Sequence, residues 1–327
     1  MQNCGTSSNA PVNVPATGGK RAQSILPCNV KCSYQRGYYT SSCTATNQGY
    51  YLSLTYDAPS SSLQNPVVYN GMAYAVSEVR IYAPSIHSYG DGALAKKTDA
   101  EMIIIHNTNS GGGNTLLVCI PMKLNNVSSY SANWMSALMS TVVNVCPSAG
   151  DTASNVIFPA QAPYQLDNLV PLKPFYSYTG NQPFQPCGGT YDYIVFSADV
   201  VTLDITTNAL NQLTQVIQPH AYTVASQQNA ATLFYNSTGP VPLSSSGDGQ
   251  MYMDCESMNE QQEHDSKIPA QLPATTTTSK SSSSYALQQQ RKQTIQSIII
   301  GIIVAIVLLL LIYVLIFIIQ QLRRQAK

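Results

Sequence analysis

Short apolar and aromatic runs alternate along most of the chain with turns rich in Gly, Asn, Pro and Asp. Runs of this length, biased towards β-branched and aromatic side chains and bounded by turn residues, predict strands. One longer run places Trp134, Leu138 and Val142 at four-residue spacing, which predicts a helix over 130–145. Strands are predicted over 24–34, 50–56, 78–82, 101–106, 115–124 and 191–196, with a hairpin at Asn70-Gly71, a turn-rich stretch over 176–189, and a strand and short helix over 203–217. The pattern predicts a mainly β, α+β domain.

Two of these runs, 78–82 and 101–106, are separated by a polar segment rich enough in Gly and Asp to turn the chain. Neighbouring antiparallel strands present alternate side chains from one face, so this pair is predicted to line a common pocket.

A different pattern occupies the C-terminal part of the chain. Residues 298–319 contain no charge and are flanked by Arg291-Lys292 and by Arg323-Arg324. As a helix this stretch would span about 33 Å, enough for a bilayer core. The N-terminus has no apolar run, so no signal peptide is predicted and the arrangement is that of a tail-anchored protein. The predicted organisation is an N-terminal domain, a flexible Ser/Thr/Gln-rich stalk, a transmembrane helix and a short basic tail, at 1–244, 245–294, 295–319 and 320–327.

Charge and cysteine content narrow the functional classes. Sixteen basic residues balance sixteen acidic ones, which gives no reason to predict a nucleic-acid partner. None of the eight cysteines forms a CxxC pair, so a structural zinc knuckle is not predicted. Cys255 stands alone in the stalk, where it is either a free thiol or a disulfide link between two chains of a homodimer. Two glycosylation sequons begin at Asn126 and Asn236, and without a signal peptide their use stays open.

Five short motifs, taken in order, resemble those of the α-class carbonic anhydrases over roughly residues 3–240. They are Cys4-Gly5 with Asn9 to Val14, Asn47-Gln48-Gly49-Tyr50, 79–87 ending in Pro84-Ser85-Ile86-His87, 100–106, and Tyr178-Thr179-Gly180 with Pro186-Cys187. The resemblance implies a central twisted, mostly antiparallel sheet with a few short helices, preceding the C-terminal transmembrane helix. It also implies a disulfide between Cys4 and Cys187.

In that family three strand histidines hold zinc and leave a fourth position open for water. The resemblance places Arg80, Tyr82 and Ile103 at those positions, so it implies no metal, no other cofactor and no enzymatic activity. The matching positions for the proton shuttle, the gatekeeping Glu and the orienting Thr are Tyr50, Ile86 and Pro183. The retained positions are His87, Glu101 and Tyr178, which the resemblance implies form a buried hydrogen-bonded cluster behind the pocket.

An alternative is a displaced metal site built from His87, His106 and His220. Isolated histidines are more often hydrogen-bonded polar groups than metal ligands, which argues against it.

With a vacated metal site, a stalk and a tail anchor, the chain resembles the cell-surface-binding proteins on virions of poxviruses and related large DNA viruses. That resemblance implies an outward-facing domain on the virion membrane that binds host glycosaminoglycans during attachment. A sulfated chain requires a basic groove, for which Lys20, Arg21, Lys96 and Lys97 are the candidates. Because residues 1–244 hold nine basic and ten acidic side chains, a neutral glycan or a protein is the other predicted partner. The alternative functions are a residual metal-dependent hydratase and a purely structural membrane protein.

Overall fold

The computed structural model describes residues 8–19, 22–28, 32–57, 65–108, 112–184 and 187–243. Within these ranges the chain forms sixteen strands, two α-helices and three short 3₁₀ turns. The 3₁₀ turns are Ala22–Ser24, Gly92–Leu94 and Leu166–Asn168, and the helices are α1 (Tyr130–Val145) and α2 (Thr207–Val216). The strands are β1 (Asn13–Val14), β2 (Leu26–Pro27), β3 (Tyr34–Arg36), β4 (Ala45–Asn47), β5 (Leu52–Leu54), β6 (Val67–Tyr69), β7 (Met72–Tyr82), β8 (Ser88–Tyr89), β9 (Ala100–Thr108), β10 (Thr115–Leu124), β11 (Thr152–Ala153), β12 (Phe175–Gly180), β13 (Tyr191–Phe196), β14 (Leu203–Ile205), β15 (Phe234–Asn236) and β16 (Val241–Pro242).

One large mixed sheet dominates the described residues. Its main path runs β11-β4-β5-β7-β9-β10-β13-β12-β15-β2, and β3, β6, β14 and β16 pair at its margins. Most pairings are antiparallel, whereas β10 runs parallel to both β13 and β14. A separate two-stranded ribbon joins β1 to β8. The predicted mainly β fold with few helices is confirmed.

The β6–β7 hairpin shows why the chain turns where it does. Asn70 and Gly71 both have positive φ, 50° and 78°, and Tyr69 pairs with Met72 across the two-residue loop. Asn-Gly is the favoured pair for such turns because both positions require left-handed backbone. The predicted hairpin is confirmed, and it starts β7, the strand on which the candidate site depends.

Helix α1 matches its predicted bounds. Ser129 caps its N-terminus by accepting a hydrogen bond from the Ala132 amide. Trp134, Leu138 and Val142 are buried on one face, as their spacing predicts. The predicted strand and helix over 203–217 are likewise present as β14 and α2.

The sheet has a core on each face. Strand β9 shows the division, because Met102 and Ile104 pack into the larger core with α1 while Ile103 and Ile105 pack into a smaller, tyrosine-rich core. Alternate side chains of a strand point to opposite faces, so β9 serves both. The candidate site lies in the smaller core.

Two sequence predictions were wrong in detail. The single strand predicted over 24–34 is replaced by β2, a Cys28–Cys32 disulfide with Cα atoms 5.5 Å apart, and the start of β3. The turn-rich stretch predicted over 176–189 begins with β12, whose Tyr and Thr residues favour a pleated, packed surface.

The predicted stalk, transmembrane helix and basic tail lie outside the described residues. Among the residues that are described, no helix is long and apolar enough to cross a membrane.

Candidate functional site

The pairing of β7 with β9 brings the three predicted pocket positions together. Arg80 lies opposite Ile103 in the antiparallel register, and Tyr82 lies two residues further along the same face. Ile103 and Tyr82 are almost fully buried in the smaller core. The two strands therefore present these three side chains on one face of the sheet.

The side chain of Arg80 lies on this face among two rings and a carboxylate. Its guanidinium carbon lies 4.6 Å from the ring centroid of Tyr51 and 4.6 Å from that of Phe184. Nε and Nη2 of Arg80 donate to Glu78 Oε2 at 2.9 and 2.7 Å, and Ser53 donates to the other Glu78 oxygen at 2.5 Å. These residues, together with Ile103 opposite Arg80, are called the Arg80 pocket: Tyr51, Glu78, Arg80, Tyr82, Ile103 and Phe184.

The donor set of the Arg80 pocket does not fit zinc. Zinc takes imidazole, thiolate or carboxylate ligands, whereas Arg80 has only donors and Ile103 has no polar atom. Burial, only partly offset by the charge of Arg80, raises the pKa of Tyr82 well above its ordinary value, so its hydroxyl stays protonated. The carboxylate of Glu78 is already bonded to Arg80 and Ser53.

Rings continue from the Arg80 pocket towards the surface. Tyr82 contacts the Tyr222 ring edge-on at 5.6 Å, Tyr222 contacts His220 at 4.8 Å, and His220 contacts Tyr50 at 5.5 Å. Tyr50, predicted to replace the proton shuttle, therefore lies beside another ring at the outer end of this series. Ile86 and Pro183, the other replaced positions, are both buried.

Deeper in the same core, the structure brings His87, Glu101 and Tyr178 together. His87 Nδ1 lies 2.6 Å from Glu101 Oε1, and His87 Nε2 lies 2.8 Å from the Tyr178 hydroxyl oxygen. The Tyr89 hydroxyl donates to Glu101 Oε1 at 3.0 Å. These four residues, which we call the His87 cluster, are all at least nine-tenths buried.

Glu101 is the acceptor that unites the His87 cluster. Its Oε2 accepts from the backbone amides of Ile86 and His87 at 2.7 and 3.0 Å. Burial alone would raise the pKa of Glu101, but its interaction with His87 and a smaller contribution from Lys97 hold that pKa below its ordinary value. Burying a carboxylate this deeply costs much free energy unless both of its oxygens accept hydrogen bonds, and here each oxygen has two partners.

Cys119 lies beside the His87 cluster, and the ligand atoms of His87, Glu101 and Cys119 all fall within 4.8 Å of one another. Both ring nitrogens of His87 already have partners, and burial raises the pKa of the Cys119 thiol well above its ordinary value. A metal there would have to displace those bonds and deprotonate a buried thiol. The group is therefore better suited to packing than to metal binding.

The alternative site of His87, His106 and His220 is not assembled. His106 projects into the larger core, on the opposite face of β9, where its Nε2 lies 2.8 Å from the Tyr38 hydroxyl and its Nδ1 3.3 Å from the Leu116 carbonyl. Burial lowers the pKa of His106 to about 4. His220 lies among rings nearer the surface.

One member of the predicted basic patch, Lys97, is not an exposed positive charge. Its ammonium donates to the Ile86 carbonyl and is largely buried, and this burial lowers its pKa to about 8. The physical reason is that the ammonium of Lys97 lies close enough to the buried carboxylate of Glu101 to be attracted to it, so the side chain points inward rather than into solvent. Lys96 is exposed as predicted, while Lys20 and Arg21 lie outside the described residues.

The structure describes some of the predicted cysteines and glycosylation sites, and others lie outside the described residues. Cys187 takes part in a disulfide, but its partner and Cys4 lie outside the described residues, so the Cys4–Cys187 pairing stays a prediction. Cys255 also lies outside them. Asn236 is buried, and its amide donates to the Cys32 carbonyl at 2.9 Å, whereas Asn126 is exposed.

Sequence reasoning missed the residues that hold Arg80. Glu78 could have been found, because it lies two residues before Arg80 and therefore on the same strand face. Tyr51 and Phe184 are each adjacent to a residue that the resemblance singled out, Tyr50 and Pro183. Their stacking on Arg80 depends on the tertiary fold and has no sequence signal.

No protein-family model and no curated protein matches the sequence. Solved structures, however, are similar in fold. Dioscorin complexed with ascorbate has 14% identity and a TM-score of 0.54 over 71% of this chain and 86% of that one. The α-carbonic anhydrase of Photobacterium profundum has 15% identity and a TM-score of 0.53 over 70% and 89%. The α-carbonic anhydrase of Thermovibrio ammonificans, in complex with the inhibitor sulfanilamide, has 17% identity and a TM-score of 0.51 over 70% and 87%. These likenesses show that the chain has the α-carbonic-anhydrase fold.

Proposed function

We propose that this chain is a non-catalytic binding protein built on the α-carbonic-anhydrase fold. The observation that supports it is the guanidinium of Arg80, which lies over the rings of Tyr51 and Phe184 and is paired with Glu78. Carbonic anhydrase chemistry requires a zinc-bound water, and Arg80, Tyr82 and Ile103 supply no ligand for the metal.

The proposed setting is a virion membrane. The apolar stretch 298–319 would anchor the chain, and the polar stretch before it would hold the domain outward as a stalk. The proposed role is attachment to a ligand on the host cell surface. A homodimer linked through Cys255, close to the membrane, belongs to the same proposal.

The charges of the domain bear on the ligand. The described residues include six Lys or Arg and ten Asp or Glu. Of the six, Arg36 and Arg80 are in ion pairs, and Lys97 and Lys123 donate to backbone carbonyls. Because glycosaminoglycan binding depends on free cations, this distribution favours a neutral glycan or a protein as the ligand.

Vesicles carrying the full chain test the proposal. They should bind host cells, protein-free vesicles of the same lipid composition should not, and enzymatic removal of glycosaminoglycans should leave most of the binding intact. Loss of binding after that treatment would assign the ligand to glycosaminoglycans. Equal binding by the two kinds of vesicle would instead favour the purely structural membrane protein.

A residual metal-dependent hydratase is the second candidate, and the clustering of His87, Glu101 and Cys119 is the observation that favours it. It requires a metal bound to those three side chains in the purified chain. Stoichiometric zinc that is lost on substitution Cys119→Ala would establish this candidate and overturn the first.

A further inference from the structure

The Arg80 pocket has the composition of a receptor for a planar cation. The guanidinium carbon lies over two aromatic rings, those of Tyr51 and Phe184, at 4.6 Å from each centroid. Two neighbouring N–H groups of the guanidinium, on Nε and Nη2, donate to one oxygen of the Glu78 carboxylate, Oε2. Aromatic faces against the cation and a carboxylate oxygen that accepts from two neighbouring N–H groups favour a guanidinium over an ammonium.

The walls of this receptor are held by contacts that do not involve Arg80. Tyr51 packs on Tyr82 with centroids 5.1 Å apart, and Phe184 stacks on Tyr82 at 6.3 Å. Glu78 is fixed separately through its bond from Ser53. Tyr51, Tyr82 and Phe184 are all buried. Removing the Arg80 side chain should therefore leave the rings and the carboxylate in place.

We infer that the pocket is a guanidinium-binding cage that the chain occupies with its own Arg80. When the Arg80 side chain is absent, the cage should accept a guanidinium group from a small molecule. The ligand class is a planar monocation with adjacent N–H donors, because one carboxylate oxygen accepts from two neighbouring N–H groups while two ring faces contact the same cation. This inference rests on the cage geometry and not on the proposed attachment role.

Substitution Arg80→Ala in the full chain, titrated with millimolar methylguanidinium, tests the inference by calorimetry and by melting temperature. The variant should bind one methylguanidinium and melt at a higher temperature as the ligand saturates the site. Urea, a neutral molecule of nearly the same shape, should not bind. The wild-type chain, whose cage is filled by the Arg80 side chain, should show no saturable binding.

A second substitution separates the cage from non-specific cation binding. In the double variant Arg80→Ala with Glu78→Gln, affinity for methylguanidinium should fall at least about tenfold, because a charge-assisted hydrogen-bond pair is lost. A folded Arg80→Ala variant that does not bind, or that binds methylguanidinium and urea equally, would overturn the inference. If that variant does not fold alone, methylguanidinium should restore its folding, and failure to do so would equally overturn it.

Discussion

The Arg80 pocket and the His87 cluster lie in the same core, on the same face of β7 and β9, yet they differ in what they retain. At the three positions where the resemblance expects zinc ligands, the pocket has Arg80, Tyr82 and Ile103. At the positions where it expects a supporting network, the cluster keeps His87, Glu101 and Tyr178, in hydrogen-bonding contact. The Arg80 side chain is 16% exposed, whereas His87 and Glu101 are fully buried.

This difference has a physical explanation. In a partly exposed site, water can solvate a polar group that has lost its partner. Replacing one polar residue there by another therefore costs little stability. A fully buried carboxylate cannot lose one partner without leaving an unpaired charge in the interior. The chemistry of the pocket can thus change while the cluster that supports the fold stays the same.

The largest expected effect comes from restoring ligands to the pocket. The triple substitution Arg80→His, Tyr82→His and Ile103→His places three imidazoles on one face of β7 and β9, in the register shown by Arg80 and Ile103. It should create zinc binding with a free energy on the order of 10 kcal/mol, measured by competition with a chelator. The matched double variant that keeps Ile103 should bind far more weakly, and a folded triple variant that takes up no zinc would show that the frame itself has been lost.

The next largest effect concerns the His87 cluster. Substitution Glu101→Ala removes the shared acceptor and leaves His87 and two backbone amides without their partner, which should lower the free energy of unfolding by about 3–5 kcal/mol. Glu78→Gln in the Arg80 pocket is the control and should cost about 1 kcal/mol. Urea unfolding measures both. Equal losses would remove the distinction between the two regions.

Acid should destabilise the domain by protonating His106, which lies on the opposite face of β9 from the two regions compared above. In the folded state the pKa of His106 is about 4, below its ordinary value of 6.5, so the unfolded chain binds a proton that the folded chain does not. Stability should therefore be complete above about pH 6.5 and fall by about 3 kcal/mol as the pH drops to 4. Denaturant unfolding across this range should show the slope, and His106→Gln should reduce it, leaving the contribution of His220, whose pKa burial also lowers. Glu101, whose pKa is also depressed, should act only at lower pH, so a slope unchanged in His106→Gln would contradict this account.

Much of the fold was predictable because local pattern and tertiary environment agree. Helix α1 and strand β10 match their predicted bounds, since four-residue spacing and an unbroken apolar run are strong local signals. The Asn70-Gly71 turn was predictable from backbone sterics alone. Strand β12 was missed because Tyr176, Ser177 and Tyr178 carry polar groups and are buried only through pairing in the sheet, while Thr179 stays exposed.

The candidate site was predictable only in part. The resemblance predicted that His87 lies near Glu101 and that Arg80 takes the place of a zinc ligand. It did not indicate which residues would stabilise the positive charge of Arg80. Tyr51 reaches Arg80 from the residue just before strand β5, and Phe184 reaches it from a loop more than a hundred residues away. Lys97 was predicted as a surface charge, but its side chain points inward towards the Ile86 carbonyl and Glu101. Only the assembled fold brings these two groups close to it. Contacts of this kind arise from the assembled fold rather than from local sequence.

The most direct test of the central claim is the metal content of the purified full chain, measured after expression with excess zinc and removal of loosely bound ions. We predict zinc far below one equivalent per chain and no acceleration of CO₂ hydration over buffer. One equivalent of firmly bound zinc in the wild-type chain would contradict the account, because none of Arg80, Tyr82 and Ile103 can hold it.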